Sequence, residues 1–93
     1  MTIHVKIFAT LRLDFRTSGF DIETDKPITM MQLLNRICDH LQADILPKLL
    51  LDGKIRVGTI LLINGKDVLH AQKLETMITE ECVVSVFPPA AGG

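Results

Sequence analysis

Thr29-Met30-Met31-Gln32-Leu33-Leu34-Asn35-Arg36-Ile37-Cys38-Asp39-His40-Leu41-Gln42 carries the pattern that decides the fold. Met30, Leu33, Leu34, Ile37, Cys38 and Leu41 recur at helical spacing, with Gln32, Asn35, Arg36 and Asp39 on the opposite side. Thr29 stands where an N-cap belongs, its hydroxyl free to accept from an exposed N–H of the first turn. The spacing predicts a helix over 29–42, the only long one in the chain. One apolar face then needs one surface to cover.

That surface is read from the flanks. On the N-terminal side, Ile3, Val5 and Ile7 alternate with His4, Lys6 and Phe8, the period of a half-buried strand. Leu11 to Ser18 has no clean period and reads as a loop or a short helical turn. After the turn at Thr17-Ser18-Gly19, Phe20, Ile22 and Thr24 alternate with Asp21, Glu23 and Asp25, a second strand close enough to form a hairpin with the first. Lys26-Pro27 ends it, since proline cannot donate to a ladder.

On the C-terminal side, Pro47 breaks the apolar stripe of Ala43–Leu51 down to a short helical turn. Asp52-Gly53-Lys54 signals a turn, and 55–57 reads as extended. Thr59–Ile63 reads as a buried strand stopped by Asn64-Gly65, the strongest hairpin signal in the chain. Asp67–Leu69 is the expected return strand, and Leu74–Ile78 a loop or single helical turn. Cys82–Phe87, rich in β-branched residues, is the final strand, closed by Pro88-Pro89. One helix over one sheet implies an α+β class, and a β-grasp roll is one of few ways to achieve it: a mixed sheet of four to five strands covered by one main helix. The expected organisation is a domain over 1–87 and an extended tail over 88–93.

Composition removes several function classes. The 93 residues support one modest core, and 47% apolar with 23% charged is ordinary for a soluble globular chain. A net charge of −1, with no Trp or Tyr, provides neither the basic patch nor the stacking aromatics of a nucleic-acid module. The longest apolar run, Thr59–Ile63, is far short of the roughly 20 residues a membrane helix needs. Met1–Lys6 alternates from the outset, unlike a signal peptide. Cys38 and Cys82 belong to no Cys-x-x-Cys or Cys/His cluster and His4, His40 and His70 are scattered, so no metal site is expected and reduced thiols in the cytoplasm are the default.

The tail reads as a device of two stiffnesses. Pro88-Pro89 holds its base extended, and Gly92-Gly93, without Cβ atoms, suits a tip that threads a narrow channel. Standing alone, two glycines at a chain end are also what a frayed terminus carries. In the first strand Phe8 faces away from Ile3, Val5 and Ile7; if Val84 and Val86 pack inward, Phe87 faces away too. Phe8 and Phe87 then lie together on the open sheet face beside the tail as a docking patch, extended by Leu61, or by Leu62 if the register differs. Plain surface hydrophobicity is the competing reading.

Val86-Phe87-Pro88-Pro89-Ala90-Ala91-Gly92-Gly93 resembles the end of the molybdopterin synthase small subunit, MoaD, within the MoaD/ThiS sulfur-carrier family. Val5–Arg12 looks like that family's first strand and turn, and Ile63-Asn64-Gly65-Lys66 like its hairpin. Thr79-Glu80-Glu81-Cys82 departs from the Asp-Gly turn of many relatives, while the length of Ala43–Gly58 favours MoaD over ThiS. The resemblance implies a ubiquitin-like fold and no catalytic residues. It implies adenylation of the Gly93 carboxylate with ATP by a ubiquitin-activating-type adenylyltransferase (MoeB/ThiF-like), then sulfur transfer to a thiocarboxylate. Ala90, Ala91 and Gly92, with Pro88 and Pro89, would thread the partner's channel, and a MoaE-like large subunit would insert the sulfur into the pterin precursor. No cofactor is expected on the chain itself. Thiamin, tRNA or amino-acid thiolation, or a ubiquitin-like modifier joined to lysines through Gly93, would use the same tail; a simple binding module is the remaining alternative.

The other reactive side chains read as structural. Cys38 lies on the helix's apolar stripe, and Cys82 sits beside Glu80 and Glu81, whose charge would raise a thiol pKa. His40 and His70 read as surface residues, Met30-Met31 as adaptable core and helix-start filler, and Lys66 and Lys73 as solvated lysines or salt-bridge partners for another protein.

Overall fold

In the computed structural model, which describes residues 1–90, the helix expected from the sequence is α2, Met30–Leu41. It follows, in chain order, β1 (Thr2–Ile7), α1 (Ala9–Phe15), β2 (Gly19–Glu23) and β3 (Ile28–Thr29). After it come α3 (Leu46–Leu49), β4 (Leu50–Leu51), β5 (Lys54–Ile55), β6 (Ile60–Ile63), β7 (Lys66–Asp67), β8 (Met77–Ile78) and β9 (Cys82–Phe87). Two 3-10 turns, Val68–His70 and Lys73–Glu75, carry the chain from β7 to β8.

Local chemistry sets both ends of α2. The Thr29 hydroxyl accepts from the Gln32 N–H at 3.1 Å while the Gln32 side chain accepts from the Thr29 N–H at 2.8 Å, a reciprocal capping box. At the other end Gln42 turns left-handed (φ 55°), and bonds from Gln42 N–H to Asp39 O and Ala43 N–H to Cys38 O close the last turn as a Schellman motif. Met30, Leu33, Leu34 and Ile37 are completely buried, spaced so that one stripe of the helix faces the sheet.

The sheet order is β2-β1-β9-β6-β7. β9 returns to the centre, parallel to β1 and antiparallel to β6. Ile3, Val5 and Ile7 align with Cys82, Val84 and Val86, and Leu61 aligns with Val86; all seven are buried on the face under α2. This is the five-stranded β-grasp sheet with one covering helix. Asn64 and Gly65 take positive φ (50° and 83°), as a two-residue hairpin of matching twist requires. The Asn64 side chain also accepts from the Val83 N–H at 2.9 Å, and its own N–H donates to Val83 O at 2.8 Å.

Several local expectations change. The stretch without a period, read as a loop or a short helical turn, is a helix of two turns, α1, and it shows no period because Leu11 is its one buried residue. The expected return strand shortens to β7 and gives way to a 3-10 turn at Val68, where the Asp67 carboxylate accepts from the Leu69 N–H. Residues around Met77 form β8, which pairs with β3, a small second sheet closing the entry to α2. Leu46–Leu49 is the short helical turn expected near Pro47, with the proline near its start, where a missing N–H costs nothing.

Candidate functional site

β9 delivers the chain to Pro88, Pro89 and Ala90, and the site is built around that exit. Phe8 follows β1 with its N–H donating to Val86 O at 3.2 Å, so the ladder holds it one residue beyond Ile7. It faces away from the core and stacks on Phe87, ring centroids 4.2 Å apart and planes 7° from parallel. The Arg12 guanidinium, one turn into α1, lies 5.9 Å from the Phe8 ring centroid. The structure thus brings together the two aromatics paired in the sequence reading.

Leu61 does not belong with them. It is 1% exposed and faces α2, because the register sets it opposite the buried Val86. Its neighbours take the open face: Ile60, 41% exposed, lies opposite Phe87, and Leu62 opposite Ser85. A shift of one residue reverses every side chain of a strand, and the run Ile60-Leu61-Leu62-Ile63 gives no alternation from which to choose.

The base of the tail is also more enclosed than expected. Pro88 is buried and Pro89 half-buried, so the exit begins beyond them rather than at Phe87. Thr10, Pro47, Lys48 and Arg56 surround the two prolines. Ala90 is exposed; Ala91 and Gly92, expected to thread, and Gly93, expected to react, lie outside the described residues.

Elsewhere the open face is polar. His4 bonds Asp21 through Nδ1 at 2.8 Å and Glu81 through Nε2 at 3.0 Å, a contact between β1, β2 and the turn before β9 that the sequence reading did not find. Two carboxylates around one ring require both nitrogens to donate, and the bonds to Glu81 and then Asp21 raise the His4 pKa above its ordinary 6.5. Burial first, then Glu80 and Glu81, pushes the Cys82 thiol up, which disfavours the thiolate. Cys38 is half-buried against the core edge, and His40 stacks on Phe20. Among the described residues no group of three His, Cys, Asp or Glu is placed to hold a metal, and no helix is long and apolar enough to cross a membrane.

Comparison with known proteins adds the family. The chain matches the ThiS family model over residues 5–93. It is 29% identical to small archaeal modifier protein 3 of Haloferax volcanii over 93 residues, covering 100% of both chains. Among solved structures it is similar to a Pyrococcus furiosus chain provisionally named subunit 1 of a molybdopterin converting factor (21% identity, 97% and 99% coverage, TM-score 0.74). It is also similar to a chain of the Amycolatopsis orientalis BexX/CysO complex (21% identity, 98% and 99% coverage, TM-score 0.76). With its β-grasp sheet, its covering helix and a tail issuing from the central strand, the chain belongs to the ThiS family of ubiquitin-like sulfur carriers and modifiers.

Proposed function

We propose that Gly93 is the reactive end of a sulfur carrier and that the chain is a co-substrate without catalytic residues of its own. The observation that supports this best is the sequence Phe87-Pro88-Pro89-Ala90-Ala91-Gly92-Gly93 issuing from the central strand of a β-grasp sheet. The Gly93 carboxylate attacks ATP, held by a MoeB/ThiF-like activating enzyme, to give an acyl adenylate and pyrophosphate. A donor persulfide displaces AMP, and a thiol cleaves the resulting S–S bond to leave the thiocarboxylate. Phe8 and Phe87, with Ile60 and Leu62 beside them, supply the apolar anchor for docking. Two free thiols and a need for ATP suit a cytoplasmic carrier.

The destination we favour is molybdopterin, with the chain as small subunit beside a MoaE-like large subunit, on the strength of the tail motif and the length of Ala43–Gly58. A second reading, conjugation of Gly93 to lysines of other proteins, is favoured by the full-length likeness to a small archaeal modifier protein.

Intact mass after incubation with the activating enzyme, ATP and a persulfide donor tests the shared chemistry. One sulfur should replace one oxygen on wild type and on no chain lacking Gly93; an unchanged wild-type mass refutes the carrier reading. Copurification with a molybdopterin synthase large subunit supports the first destination, and Gly-Gly remnants on cellular lysines support the second.

A further inference from the structure

The loop Arg56–Thr59 has little reason to exist as core. Val57, at its tip, is 98% exposed. Yet the loop is fixed on both sides. Arg56 donates from its N–H to Leu49 O at 2.9 Å and from Nε to Pro47 O at 3.1 Å, tying it to α3. Thr59 donates its N–H to Arg56 O at 3.0 Å and its hydroxyl to Leu49 O at 3.0 Å, in a residue 2% exposed. Between these anchors Gly58 adopts φ +94°, and a Cβ placed there would lie 3.3 Å from Pro89 Cβ. Gly53 and Gly65 also have positive φ, but each turns in open space. Gly58 alone of these three presents its bare backbone to another segment, and that segment is the base of the tail.

We propose that Arg56–Thr59 is a seat that sets the direction in which the tail leaves the sheet, with Gly58 as its positioning residue. The proposal rests on the reading of Gly93 as the reactive end. The chain from Pro89 to Gly93 spans at most roughly 14 Å at about 3.5 Å per residue. The stiff diproline fixes the angle at which that length starts out from the sheet, and a reacting atom misplaced by about 1 Å can cost as much as 100-fold in rate. A methyl group at position 58 pushes Pro89 outward and misdirects the carboxylate, while the Phe8–Phe87 face is untouched.

The test is ATP–pyrophosphate exchange on the full chain with its activating enzyme. Gly58→Ala should lower kcat about 10-fold and leave KM for the chain within about twofold, the mark of a docked but misaimed tail. Gly53→Ala imposes a comparable left-handed backbone strain in open space and should leave both constants within about twofold. Pro89→Gly removes the Cβ that the methyl added at position 58 would strike. In that background the same Gly58→Ala change should cost less than about twofold. Equal behaviour of Gly58→Ala and Gly53→Ala, an undiminished penalty in the Pro89→Gly background, or an effect on KM alone overturns the seat.

NMR judges it without any activation. Cross-relaxation between Gly58 Hα and Pro89 Hβ protons should be present in wild type, and the Pro89 and Ala90 resonances should shift in Gly58→Ala but not in Gly53→Ala; a missing wild-type contact, or unshifted Pro89 and Ala90 resonances in Gly58→Ala, overturns the seat. Absence of exchange on wild type refutes the reading of Gly93 instead, and the NMR contacts still decide the seat.

Discussion

The two faces of the sheet are built from alternate residues of the same strands and follow opposite rules. Under α2, the facing positions Ile3, Val5, Ile7, Leu61, Val84 and Val86 are all aliphatic, and none is more than 2% exposed. On the far side, the alternating positions are His4, Lys6, Val83, Ser85 and Leu62, with the Phe8–Phe87 stack at the end nearest the tail. The inner face is uniform because burial rewards any aliphatic of suitable volume. The outer face is graded along its length. Charged pairing occupies the His4 end, and flat aromatic surface occupies the tail end, where the proposed dock lies. A sheet covered on one side only can thus assign stability to one face and recognition to the other.

Substitutions at neighbouring positions should separate the two roles. The largest effect is expected at Leu61→Ala, which leaves a cavity under α2 and should cost about 3 kcal/mol in denaturant unfolding. Leu62→Ala, one residue along on the other face, should cost less than about 1 kcal/mol. Equal losses would mean that the faces are not divided as described.

Next comes Phe87→Ala. It should weaken binding to the activating enzyme about 30-fold, roughly 2 kcal/mol by titration calorimetry, if the stack is the anchor of the dock. The accompanying loss of stability should be smaller, about 1 kcal/mol for the stack. An unchanged affinity would reduce the aromatic pair to packing.

Thr29→Ala removes the side-chain half of the capping box and should cost about 1 kcal/mol of stability with no change in partner affinity, since it touches only the cover of the inner face.

The smallest effect is expected from His4, on the polar end of the open face. Its folded pKa is raised by Glu81 and then Asp21, so the folded state binds a proton more tightly than the unfolded chain. The sign follows from linkage: its contribution is fully present below the ordinary pKa of 6.5 and is lost as pH rises through the folded value. Denaturation midpoints measured across that window should decline with pH in wild type, and the decline should flatten in His4→Gln. A wild-type curve unchanged by the substitution would show that the two carboxylates do not act on the ring.

What could be read in advance follows from how local each signal is. α2 was legible because its stripe, its N-cap and its length lie in one stretch; the Asn64-Gly65 hairpin was legible because two residues carry the whole turn. The pairing of Phe8 with Phe87 could be reached by counting alternations in two strands. Leu61 was misplaced because four consecutive aliphatics have no phase of their own, and only the ladder to Val86 supplies one. α1 lacked an apolar stripe because it rests little more than Leu11 and part of Phe15 on the core. The contact of Gly58 with Pro89 was out of reach for a different reason. A glycine before a strand is a visible signal, but the partner it leaves room for is set by the return of β9 to the sheet centre.

That central return also has a mechanical meaning. A partner that draws the tail into its own channel pulls along the axis of β9, which is bonded to β1 on one side and β6 on the other. The load falls in shear on both ladders together, since their bonds run across the pull, and no single pair can peel first. Force spectroscopy with one handle at Ala90 and the other at β1 should therefore give an abrupt, high-force rupture, whereas a handle at the β7 edge should unzip the domain gradually. If the tail is gripped and released as proposed, the domain can be towed without being unravelled.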